Sequence, residues 1–245
     1  MKKLFKKILL LVIFLAIISV FLLTNQIFNI NRIEILDLKR IKKDDIIKIL
    51  RQYEGQNIFL TDTQKIKREI LKNPEIDNVI IKRNLPNQLT INVSEKETIA
   101  FVEYMNSYIE LDKKAYVIRI SPKINKENIV LIGLKIKEVE IGKKLKVNDK
   151  FALEDGILLA RKIKSLNYLD KLDYSNVLLD VQNINNFKIY LDKLTIEIGD
   201  KEDLDYKFKL AEAVINKLPK RIYGTITISD NGTAIFSPLD EEDTN

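Results

Sequence analysis

The chain has 245 residues, with 41 basic and 35 acidic side chains and a formal net charge of +6. It contains no Cys and no His, which excludes disulfides, thiolate nucleophiles, Cys/His zinc sites, a histidine general base, a Ser-His-Asp triad and a lipid-modified cysteine anchor. Hydrophobic residues make up 46% and charged residues 31%, the balance of a foldable chain, and Gly at 7 and Pro at 5 leave little material for long linkers.

The positive excess sits at the N-terminus. Without Lys2, Lys3, Lys6 and Lys7, 37 basic residues face 35 acidic ones, which is not the footprint of a nucleic-acid-binding surface. These lysines precede Ile8 to Leu23, a run of 16 residues whose only polar member is Ser19. The run is apolar on every face, unlike a buried core helix, and Thr24 to Phe28 can complete its far end. Residues 1–7 therefore read as a cytoplasmic tail and residues 8–27 as a transmembrane helix set in the lipid bilayer. Four lysines lie before the run and only Arg32 shortly after it, which places the bulk of the chain outside the cytoplasm. No small-x-small cleavage site follows, so the run reads as a retained signal anchor rather than a cleaved signal peptide.

The next segment, residues 28–96, has the order strand, helix, helix, strand, strand. Ile33 and Ile35 alternate with Glu34 and Leu36 as in a strand. A helix opens at Asp44 or Asp45, presents Ile46, Ile47, Leu50 and Tyr53 on one face, and stops at Gly55. Thr61-Asp62-Thr63-Gln64 has capping-box spacing and predicts a second helix carrying Ile66, Ile70 and Leu71, ended by Asn73-Pro74. Strands are predicted at Ile76 to Lys82 and Leu89 to Val93, separated by Asn84-Leu85-Pro86-Asn87. Two helices on one face of a three-stranded sheet bury a small core.

Residues 97–239 shift to shorter strands. A hairpin is predicted about Asn106-Ser107, followed by strands near Val117 and Val130, with Gly133 closing the latter. A helix spans Phe151 to Lys164. Strands follow at Val177 to Val181, Phe187 to Leu191 and Leu194 to Ile198, then a helix from Leu204 to Leu218. Ile222 to Ile228 and Thr233 to Phe236 flank Asp230-Asn231-Gly232, a hairpin-turn signal. Residues 240–245 read as an acidic disordered tail. No Gly/Ser linker separates the halves. The fold class is α+β: one transmembrane helix, a βααββ domain, and a mixed β-rich domain with two helices.

Several of these tracts carry a family resemblance. Phe28-x-x-x-x-Ile33-x-Ile35, Gly55-Gln56-Asn57-Ile58-Phe59, Asn73-Pro74-Glu75-Ile76 and the line from Arg83 to Lys96 together resemble a POTRA domain, most closely that of the FtsQ/DivIB bacterial cell-division proteins. Lys96 stands where that family usually has Arg. Thr98-Ile99-Ala100 replaces its Pro-Val-Ala, and Ala115 stands where its Asp-x-x-Gly-x-Val stretch has Gly. Val130-Leu131-Ile132-Gly133 looks like the family's buried Leu-x-Gly strand. The resemblance implies a septal, single-pass divisome protein. Its last strands would receive a strand from small coiled-coil partners of FtsB/DivIC and FtsL type. Residues 230–238 are similar to the family's ending, with Phe236 in place of Trp and one residue fewer.

Catalytic material is sparse. No serine has Ser-x-x-Lys spacing, the glycines are too scattered to cradle phosphate, and Asp200 to Asp205 lacks the alternation of a calcium loop. The carboxylate pairs fall at helix starts or exposed faces. The expectation is a non-enzymatic scaffold with no cofactor, no metal, no nucleic acid and no small-molecule substrate, acting by sheet-edge pairing. The candidate partner-binding residues are Tyr223, Thr225, Ile226, Thr227, Ile228, Asn231, Gly232, Thr233, Ile235 and Phe236. The alternatives are a POTRA-type chaperone, which would need repeated units and a barrel, and an anchored cell-wall-binding protein or enzyme.

Overall fold

The computed structural model describes residues 2–124, 128–166, 176–218, 223–229 and 231–239. The acidic tail, Asp230 and the start of the penultimate strand at Ile222 lie outside them. The chain divides into two units, Met1–Lys96 and Glu97–Asn245.

The first unit opens with α1 (Lys2–Thr24), a single apolar helix whose side chains are exposed along most of its length. Its stretch Lys3–Thr24 has 22 residues. At 1.5 Å per residue that is about 33 Å, enough to cross a hydrocarbon core of roughly 30 Å. The helix ends three residues before the expected boundary at 27. Asn25 departs to extended backbone, and Gln26–Phe28 form a 3-10 turn capped by the Asn25 side chain.

Beyond the turn come β1 (Arg32–Leu36), α2 (Lys43–Leu50), α3 (Thr63–Ile70), β2 (Ile76–Asn84) and β3 (Gln88–Glu95). The sheet order is β1-β3-β2, with β1 parallel and β2 antiparallel to β3. Ile46, Leu50, Ile66 and Ile70 from the helices meet Ile35, Val79, Leu89, Ile91 and Val93 from the sheet in one buried cluster. The second helix starts one residue later than its capping box suggested. Asp62 is the cap and accepts from the Gln64 and Lys65 N–H groups at 2.9 and 3.0 Å. The Thr61 hydroxyl instead donates to the Asn57 carbonyl.

The second unit is one nine-stranded sheet with a small two-stranded ribbon. Its strands are β4 (Ala100–Tyr104), β5 (Ser107–Leu111), β6 (Val117–Ser121), β7 (Ile129–Ile132), β10 (Val177–Asp180), β11 (Phe187–Leu191), β12 (Leu194–Gly199), β13 (Gly224–Ile228) and β14 (Ala234–Pro238). The ribbon pairs β8 (Ile136–Glu138) with β9 (Lys146–Val147). The sheet order is β14-β13-β12-β11-β10-β7-β4-β5-β6. Hairpins give antiparallel neighbours, β4 runs parallel to β7, and the parallel pairs β7–β10 and β12–β13 are joined by long crossovers. Helices α4 (Lys150–Lys164) and α5 (Leu204–Ile215) lie in those crossovers and bury Leu153, Ile157, Ala160, Phe208, Ala211 and Ile215 against the sheet. The β4–β5 turn is Met105-Asn106, one residue earlier than predicted, with both residues at positive φ. Ala115, at the family's usual Gly, has φ 62, so the position needs the left-handed conformation.

Candidate functional site

The sheet has two edges, and they differ. At one, β6 is partly covered by residues 142–145: the Val117 N–H donates to the Lys143 carbonyl at 2.9 Å, and the Gly142 N–H to the Val117 carbonyl at 2.8 Å. At the other edge lies β14, which pairs with β13 on one side; no strand among the described residues pairs with its other side.

Register determines which groups β14 offers. The Ser229 N–H donates to the Thr233 carbonyl at 2.9 Å, and the Leu239 N–H to the Tyr223 carbonyl at 3.1 Å. Hydrogen-bonded pairs in an antiparallel ladder recur at every second residue. Thr233, Ile235, Ser237 and Leu239 therefore turn their backbones toward β13, and Ala234, Phe236 and Pro238 turn theirs away. Pro238 has no N–H, so the edge offers the donors of Ala234 and Phe236 and then stops.

Side chains alternate across this edge. Ile226 and Ile228 are fully buried, and Ala234 and Phe236 pack partly buried against the same core. On the opposite face Thr225 stands opposite Ser237, and Thr227 opposite Ile235. Ile235 is 57% exposed and Tyr223 45% exposed, with the Lys193 ammonium 4.6 Å above the Tyr223 ring. The Thr227 hydroxyl donates to Glu197, which also accepts from Lys188 at 2.7 Å. The Lys188 bond is the main cause holding the Glu197 carboxyl below its ordinary range.

The ten sequence-predicted residues thus separate into three groups. Tyr223, Thr225, Thr227 and Ile235 share the exposed face. Ile226, Ile228 and Phe236 face the core. Asn231, Gly232 and Thr233 form the connecting turn, where Gly232 has φ 82 and the Asn231 carboxamide accepts from the Thr233 N–H. Thr225, Ile226 and Thr227 lie in an interior strand paired with both β12 and β14, so their backbones are not open to a partner. Phe236 lies over Gly224, where an added Cβ would fall 2.7 Å from the ring and 2.4 Å from the Ser237 carbonyl. The last strand runs to Pro238, two residues beyond its expected end at Phe236. The signal was available: a proline in an alternating run marks an edge strand, which would have carried the final strand past Phe236.

Buried carboxylates elsewhere are occupied by structural partners. Glu110 is 3% exposed and accepts from Thr98, Arg119 and Ser121. Burial raises its pKa, but those bonds outweigh it and hold the group below the ordinary value. A concavity of about 590 Å³ beside Tyr116 is rimmed by Lys143, Lys144 and Lys146, which pair with Glu140, Glu154 and Glu138. Among the described residues no group of three or more acids could hold a metal ion.

The sequence profile of the POTRA domain, FtsQ-type, matches residues 28–96. The cell division protein DivIB of Clostridium tetani is 31% identical over 208 residues, 83% of this chain and 76% of that protein. That of Clostridium botulinum is 30% identical over 243 residues, 96% of this chain and 92% of that protein. A more distant match, the cell division protein FtsQ of Geotalea daltonii, is 33% identical over 75 residues, 31% of this chain and 27% of that protein. With a POTRA domain behind an apolar helix and relatives aligned along most of its length, the chain belongs to the DivIB/FtsQ family of cell division proteins.

Proposed function

We propose that the chain is a non-catalytic scaffold of the divisome, tethered through α1 with its N-terminus in the cytoplasm and its two folded units outside. It supports septum formation by accepting a strand from a small coiled-coil division protein of FtsB/DivIC or FtsL type. The observation that carries this reading is the open border of β14, where the Ala234 and Phe236 backbones face away from β13. Unpaired edges are templates for another chain, and proteins usually blunt them when they are not used. Exposed Ile235 on one face and half-buried Phe236 on the other give an incoming strand apolar contacts on both sides.

Ala234→Pro tests the reading in the full-length chain. It removes one outward N–H and leaves the β13 hydrogen bonds intact. Co-purification with the native DivIC- and FtsL-type partners should be lost while the circular dichroism spectrum and melting curve stay close to those of the parent. Undiminished co-purification would exclude strand addition at β14.

A further inference from the structure

The geometry points to a lipid-contacting tip on the POTRA unit. Leu60, Leu85, Ile27 and the edge of Phe59 enter the headgroup layer of the same bilayer that holds α1, seating the unit on the membrane instead of leaving it on a flexible tether. This inference is independent of the β14 edge and rests on α1 being a membrane anchor.

The first support is the end of α1. The last carbonyls of a helix lack intrahelical partners, and near hydrocarbon they need others. Here the protein supplies them. The Asn57 carboxamide donates to the carbonyls of Leu22 and Leu23 at 2.9 and 3.2 Å, across 35 and 34 residues of sequence. The Asn25 N–H donates to the Phe21 carbonyl at 3.0 Å. Asn57 is buried in this position. Phe28 packs between Phe21 of the helix and Phe59 of the domain, with ring centroids 6.1 and 5.3 Å apart.

The second support is convergence. Residues 28–30 are stapled to residues 55–58: the Ile58 N–H donates to the Phe28 carbonyl at 2.8 Å, and the Ile30 N–H to the Gln56 carbonyl at 2.9 Å. The tip of the β2–β3 hairpin joins them. The Asn31 N–H donates to the Asn87 carbonyl at 3.1 Å, and the Arg83 guanidinium donates to the carbonyls of Ile58 and Thr61 at 2.9 and 2.8 Å. The point where the chain leaves the helix, the 57–61 turn and the hairpin tip thus lie at one end of the unit.

Outside α1, Ile80 at 49% lies midway along β2, but the three most exposed large apolar side chains of the unit lie at that end: Leu60 at 66%, Leu85 at 61% and Ile27 at 53%, with Phe59 at 37% beside them. In water they would form a costly apolar patch. Beside the end of a membrane helix they lie at the depth where interfacial segments bury their apolar faces.

The chain has no Trp, so single probes read depth directly. Full-length Leu60→Trp and Leu85→Trp are reconstituted in phosphatidylcholine/phosphatidylglycerol nanodiscs whose acyl chains carry bromine about 5–10 Å below the phosphates. Leu36→Trp, at the opposite end of β1, is the control. Blue-shifted emission and loss of most of the fluorescence on brominated lipid at positions 60 and 85, with little loss at 36, supports the tip. Water-like, unquenched emission at 60 and 85, or equal quenching at all three positions, overturns it. Because both leucines are exposed, an unaltered circular dichroism spectrum is expected and serves as the folding check.

Discussion

Glu95 holds together a turn that local sequence could not. One of its oxygens accepts from the N–H groups of Lys39, Arg40 and Ile41 at 2.7, 2.8 and 3.0 Å, and the other from the Arg40 guanidinium at 3.2 Å. Burial by itself would raise its pKa, but the three backbone donors and Arg40 together bring it down to about 2. The folded value lies below the unfolded one, so the stabilisation is present above roughly pH 4.5 and is lost as pH falls toward 2. Glu95→Gln should therefore destabilise the first unit by up to about 3 kcal/mol at neutral pH, with the gap closing between pH 4.5 and 2. Hydrogen exchange at buried amides such as Ile91, followed against pH in both chains, measures it. A gap that persists at pH 2 would mean that the loss comes from altered packing rather than from the charge. The resemblance marked this glutamate in sequence, but the turn it closes, over fifty residues earlier, was not legible there.

Among the elements, turns and edges were the least readable. Met105 and Asn106 occupy the left-handed region, at φ 47 and 59, as a two-residue hairpin turn requires. Met105 is 80% exposed and contributes little burial. Replacing the pair by Asn-Gly, the favoured turn chemistry, should stabilise the second unit by about 0.5–1 kcal/mol, visible as a raised thermal midpoint. An unchanged or lowered midpoint would show that the methionine makes contacts worth more than the strain. Gly224 has the opposite character. At φ 154, with the Ser237 carbonyl where a Cβ would go, Gly224→Ala should push β14 off β13 and speed amide exchange at Ile235 and Ser237, while Ile189 in the sheet interior stays protected. Loss of protection at Ile189 as well would show that the edge strand and the interior open together.

Among the described residues, an apolar helix is followed by two hydrophobic cores, one in each folded unit. The proposed orientation follows from the N-terminal lysines. Because the chain has no Cys, membrane-impermeant maleimide reports topology without background. Met105→Cys should label in intact cells, and Lys3→Cys only after the membrane is breached. Labelling of Lys3→Cys in intact cells would invert the arrangement.

Amino-acid order was sufficient for the N-terminal apolar helix, the helix and strand order of the first unit, most of that of the second, and the family, because periodicity and continuous apolarity are local properties; the short β8–β9 ribbon was not foreseen. The end of α1, the Asp62 cap and the Met105-Asn106 turn differ from expectation by one to three residues; at the first two, the side-chain hydrogen bonds of Asn25 and Asp62 select among neighbouring positions. Which strand lies at the border was a different kind of question. Thr225 to Ile228 and Ala234 to Phe236 look alike as sequence, and the parallel β12–β13 pairing buries the first while leaving the second open. The Asn57 clasp on α1 and the gathering of Ile27, Leu60 and Leu85 likewise depend on long-range register: β1 runs parallel to β3, which brings chain segments distant in sequence to one end of a sheet.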